Sequence, residues 1–123
     1  ELSLYFKSII DQDRCAVVIC NLQHEILYMK HGGHKNEKYG GIHLIGKNFL
    51  HCHNAQSQEM IQKTLRWFAE SKEHNIIYTA RNVKDNKDVY MVALRDDEGT
   101  LIGYYEKHEY RTAETAKFYD FRK

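Results

Sequence analysis

Proline is missing altogether from these 123 residues, which removes the commonest mark of stiff turns and interdomain linkers. No shift in composition takes its place, so residues 1–123 read as one domain, a length ordinary for a single hydrophobic core. An excess of charge is lacking too: 18 Lys and Arg stand against 17 Asp and Glu, a net charge of +1. The basic residues are scattered, so the chain carries no electrostatic footprint for nucleic acid or for an anionic membrane surface. Long apolar runs are also absent. Ala16-Val17-Val18-Ile19-Cys20 is among the longest, against the roughly twenty residues a membrane span requires. Cysteine is scarce; Cys15, Cys20 and Cys52 cannot all pair and show no zinc-type spacing, which points to a reducing, cytoplasmic setting.

Catalytic signatures are equally thin. No serine lies in a nucleophile-elbow sequence, no glycine-rich loop could cradle a phosphate, and no pair of carboxylates stands out. Asp96, Asp97 and Glu98 are adjacent, but a turn accounts for them. Cys52 beside a histidine is a conceivable nucleophile pair, yet the third, orienting group such chemistry needs cannot be identified. The expectation is a chain that is not an enzyme.

What is present is periodicity. Leu2, Leu4, Tyr5, Phe6, Ile9 and Ile10 space an amphipathic helix over residues 1–11. Cys15–Cys20 and Glu25–Lys30 read as two arms of a hairpin around the turn Asn21-Leu22-Gln23-His24. Gly32-Gly33 and Gly40-Gly41 bracket a polar stretch that breaks regular structure, and short helical turns are expected through about Leu50. Asn54 is a candidate N-cap for a helix over residues 58–72, with Ile61, Leu65 and Phe68 on an apolar face flanked by Met60, Thr64 and Trp67. Three strands follow, over residues 75–83, 88–95 and 100–110. Asp96-Asp97-Glu98-Gly99 turns the last pair, because glycine supplies the positive φ such a turn needs. Two strands, a helical middle and three strands imply an α+β fold. Its five-stranded antiparallel sheet would have the helices packed on one face and a ligand pocket between the layers.

The pieces together resemble the PAS family across nearly the whole chain. Tyr5-Phe6-Lys7-Ser8-Ile9-Ile10, with Ala16–Asn21 and Ile26–Met29, is similar to the family's first helix and hairpin. Ile45-Gly46-Lys47-Asn48-Phe49-Leu50 resembles the step before its long connecting helix, and residues 94–103 resemble its last hairpin. Cys52-His53 resembles the start of a Cys-His-Pro-Pro motif found in one subgroup, although Asn54-Ala55 replaces the prolines. The family's usual Asp-Ile-Thr ending is replaced by Glu109-Tyr110-Arg111-Thr112, so an output helix is not evident and the domain reads as either stand-alone or excised from a larger sensor.

The resemblance implies a sensory domain that binds a small molecule, with dimerisation as an alternative role. The expected ligand-binding residues are Phe49, Cys52, His53, Trp67, Tyr78 and Tyr90. For Cys52 and His53 a purely structural role stands beside the functional one: His53 would fix the loop into the helix, and Cys52 would fill space as a small apolar group. Haem or metal binding is a further alternative, with His51 and His53 as weak candidate ligands and His43, His31 and His34 behind them. No histidine occupies residues 58–72, and no Soret band is expected. Flavin-adduct photochemistry lacks its cysteine, since Phe49 stands where light-sensing members carry it. Tyr104, Tyr105 and Tyr110 are expected either in the core or on a homodimer surface.

Overall fold

The computed structural model describes residues 1–30 and 44–119. The chain runs α1 (Leu2–Gln12), β1 (Ala16–Asn21), β2 (Ile26–Lys30), a 3-10 turn (Phe49–Cys52), α2 (Ala55–Glu70), β3 (Ile76–Asn82), β4 (Lys87–Arg95) and β5 (Leu101–Tyr110). The strands form one five-stranded sheet in the order β2-β1-β5-β4-β3, with every neighbouring pair antiparallel. The α+β architecture expected from the sequence is therefore present, with α2 lying over β4. Gly32-Gly33, Gly40-Gly41, His31, His34 and His43 lie outside the described residues.

Strand alternation decides which residues meet α2. Val18, Cys20, Met91, Ala93, Tyr104 and Glu106 share one face by register, since Val18 pairs Glu106, Cys20 pairs Tyr104, Met91 pairs Glu106 and Ala93 pairs Tyr104. The core is built on that face: Cys20, Ile26, Met91 and Tyr104 from the sheet meet Phe49, Ile61 and Phe68 from above. Tyr104 and Tyr110 are 0% and 5% exposed, so neither forms a dimer surface. They share the inward parity of β5, and only Tyr105 of the three faces away from α2.

The turn chemistry matches the sequence closely. Asp96 Oδ1 accepts from the backbone N–H groups of Glu98 and Thr100, both at 2.9 Å, and Gly99 takes the required positive φ of 85°. Gly103 has a different reason: a Cβ there would lie 2.4 Å from the Cys20 carbonyl oxygen, so β1 and β5 approach as they do only because that side chain is absent.

α2 begins earlier and ends earlier than its pattern implied, spanning 55–70 rather than 58–72. Asn54 is the N-cap as expected, its side chain accepting from Ser57 N at 2.8 Å. Ala55, Gln56 and Ser57 then form the first turn, which needs no apolar residue to be helical. At the other end Ser71 is extended, because Arg95 from β4 collects the last carbonyls. Its Nη2 lies 2.7 Å from Phe68 O, 3.0 Å from Ser71 O and 3.0 Å from His74 O. Nη1 donates to Gly99 O at 3.1 Å and Nε to Asn75 Oδ1 at 2.7 Å. One guanidinium thus ties the end of α2 to the β4–β5 turn.

α1 buries none of its residues. It touches the sheet through its end, where the Tyr28 hydroxyl donates to Asp11 and Lys7 bridges to Asp11 at 2.6 Å. Leu2, Leu4, Tyr5, Phe6 and Ile9 stay exposed.

Candidate functional site

The segment before α2 is held along the start of β2. Gly46 N donates to Ile26 O at 2.7 Å, Ile26 N to Lys47 O at 2.9 Å, and Phe49 N to His24 O at 2.7 Å. Asn48 then caps the 3-10 turn by accepting from Leu50 N at 2.8 Å. This anchoring lays Phe49 over the inner face of the sheet, where it is buried, 6.2 Å from the Tyr104 ring and edge-on to His53 at 4.5 Å. His53 is fixed at both ends. Its Nδ1 lies 2.9 Å from Phe49 O, and its own carbonyl accepts from Gln58 Nε2 at 2.9 Å.

Polar groups collect beneath these two rings. Tyr104, fully buried, hydrogen-bonds through its hydroxyl to His24 Nδ1 at 2.8 Å. Burial pushes the Tyr104 phenol up and the His24 imidazole down, so both remain neutral near pH 7. Burial also pushes the Cys20 thiol up to about 12, which makes it an inert space-filler rather than a nucleophile. Glu106 reaches the same face, with Oε1 2.6 Å from His108 Nε2 and Oε2 4.0 Å from His53 Nε2. A carboxylate between two imidazoles on the helix-covered side of a sheet is an unusual use of an inward position, since such positions are normally apolar.

The six residues expected to bind ligand are divided by the structure. Phe49, Cys52 and His53 share the 3-10 turn and the residue after it, with Cys52 half-buried. Trp67 sits near the opposite end of α2, about 18 Å further along the helix axis, stacked on His74 at 4.0 Å. Tyr78 and Tyr90 do not face α2. Ile77 and Met91 pair across β3 and β4 with Met91 fully buried, so their neighbours Tyr78 and Tyr90 point to the other face. There the two rings lie 5.3 Å apart within a charged network: the Tyr78 hydroxyl donates to Asp88 at 2.7 Å, Arg111 Nε donates to Asp88 at 2.6 Å, and Lys107 lies 5.1 Å over the Tyr90 ring. Hydrogen bonds from Tyr78 and then Arg111 hold the Asp88 carboxyl below its usual 3.8. That network therefore supports the fold above this value and weakens as pH falls below it.

Sequence reasoning missed His24, Tyr104, Glu106 and His108 as a group. Their signal was the two-residue spacing of Tyr104, Glu106 and His108 along one strand, but nothing in the sequence said which parity of β5 meets α2. His51 is exposed, whereas His53 directs Nε2 at a carboxylate. Among the described residues no group of three or more His, Cys, Asp or Glu side chains could hold a metal ion, and no helix is long and apolar enough to cross a membrane.

No protein-family model matches the sequence, and no curated protein matches it either. Solved structures do. The C-terminal domain of a Streptococcus mutans protein superposes with a TM-score of 0.68 at 16% identity, over 87% of this chain and 83% of that one. The PAS domain of a protein from Colwellia psychrerythraea gives 0.64 at 14% identity, over 89% and 96%. A sensory box sensor histidine kinase from Vibrio cholerae gives 0.57 at 13% identity, over 88% and 90%. At such identities the shared property is the arrangement of the chain, and that arrangement is the PAS fold.

Proposed function

We propose that the chain is a sensory domain in signalling that binds a small molecule between the Phe49–His53 segment and the inner face of β5. The observation carrying this reading is the meeting of Phe49, His53, Tyr104 and Glu106 on that face, an apolar wall with a few placed polar groups, which is what small-molecule sites consist of. The fold likeness to a PAS domain and to a sensory box histidine kinase supports it. Binding would alter output through a difference in affinity between two conformations of the layers. No bond-making step is assigned to the chain, and no haem is required. Native mass spectrometry together with thermal melts across a metabolite panel tests the reading. A bound mass, or a melting shift of several degrees with one compound class, is expected; bare chain mass with no shift from any compound would overturn it.

A second reading, association of two copies, is favoured by one separate observation: α1 exposes Leu2, Leu4, Tyr5, Phe6 and Ile9 together, more apolar surface than a lone helix normally leaves in water. Light scattering is expected to give a dimer mass for the natural sequence and a monomer mass for the Tyr5→Glu/Ile9→Glu variant. A monomer at high concentration for both would remove this role.

A further inference from the structure

The tautomer of His53 is dictated by its neighbour. A carbonyl oxygen only accepts, so His53 Nδ1, 2.9 Å from Phe49 O, carries the proton, and Nε2 of the neutral ring carries a lone pair. Nε2 lies 4.0 Å from Glu106 Oε2, and an ionised carboxylate also only accepts. The other carboxylate oxygen is engaged by His108 at 2.6 Å. Two acceptors thus confront each other at a separation too long for a direct hydrogen bond. The gap does suit one group with two donor hydrogens seated about 2.8 Å from each. Both side chains still reach solvent, His53 at 23% and Glu106 at 14%, and the Phe49 ring beside them offers an apolar wall.

We propose that His53 and Glu106 form the recognition point for a small organic cation whose amino or amidino nitrogen donates to both His53 Nε2 and Glu106 Oε2. The proposal rests on the reading of a ligand site between the layers and names the class of its ligand. Charge-assisted donation to a half-buried carboxylate favours a cation over a neutral amide, and an anion would be repelled by Glu106 at short range. Glu106 is then the residue that sets charge specificity, with His53 setting the direction of the donor.

Benzamidine and its matched anion benzoate are suitable probes, titrated calorimetrically at pH 8, above the ordinary imidazole range. Benzamidine is expected to bind at least ten-fold tighter than benzoate to the natural protein, a comparison that needs no variant. Glu106→Gln, checked for an unchanged far-UV spectrum, is expected to lose ten-fold or more in benzamidine affinity. Benzoate binding as tightly as benzamidine, or a folded Glu106→Gln protein that keeps benzamidine affinity, overturns the proposal. If only neutral or anionic members of a wider compound panel bind, the cation assignment fails while the ligand-site reading stands. If no compound of any charge binds, both fail.

Discussion

Truncating Phe68 to alanine is expected to destabilise the domain by about 3–5 kcal/mol, the usual cost of emptying a fully packed aromatic site. Phe68 is fully buried and lies in one core cluster with Ile61, Met91 and Tyr104. With Ile61 it is one of the residues through which α2 packs on the sheet. A domain of this size has a total stability of about 5–15 kcal/mol, so the loss is a large share of it. Urea unfolding measures the effect directly: the midpoint should fall while the slope stays the same, because the surface exposed on unfolding hardly changes. A loss below about 1 kcal/mol would mean that α2 is seated by other contacts. Because the N-terminus of α2 carries His53 into the site, the same variant is also expected to weaken any ligand bound there.

Arg95→Met should cost roughly 2–3 kcal/mol, since hydrogen bonds from a charged donor are worth more than neutral ones and the carbonyls it serves are left without that donor. Methionine keeps much of the apolar stem and removes the five donated contacts to Phe68, Ser71, His74, Gly99 and Asn75. Arg95→Lys should recover only a minor part, because a single ammonium cannot span acceptors that a planar fork reaches together. Hydrogen exchange localises the effect: amides in the last turn of α2 and around Gly99 should lose protection first, with the centre of the sheet following only at global unfolding. Uniform loss of protection would show that Arg95 supports the whole fold rather than this corner.

These two residues also show what the sequence could and could not reveal. Phe68 was placed in the core by helical spacing alone, since Ile61, Leu65 and Phe68 repeat at the period of one helix face. The last hairpin was equally readable, because the turn at Asp96-Asp97-Glu98-Gly99 is set by local chemistry. Arg95 was not readable. Three of its acceptors, at Phe68, Ser71 and His74, lie more than twenty residues away in the chain, and an arginine ending a strand looks like any solvated charge.

The candidate site divides along the same line. Phe49 and His53 were legible because each lies in a short motif, the Ile45–Leu50 step and the Cys52-His53 pair, just before a helix start that Asn54 marks as a local signal. Tyr78 and Tyr90 are expected at the ligand pocket, yet Met91 and Ile77 occupy the inward parity and send both tyrosines to the other face. Glu106 was overlooked because a carboxylate in a strand reads as an outward position. Register with buried Met91 makes it inward, and no period-two pattern with charged residues on both faces of β5 could have shown that.

Nuclear magnetic resonance with ¹⁵N-labelled protein, titrated with benzamidine and with the most stabilising compound from the metabolite panel, tests the ligand site most directly. Amide shifts should concentrate in Phe49–His53 and in Tyr104–His108, with Tyr78 and Tyr90 on the opposite face nearly unmoved. Shifts centred on Tyr78, Tyr90 and Arg111, with the Phe49 and Glu106 signals unchanged, would contradict binding between the layers.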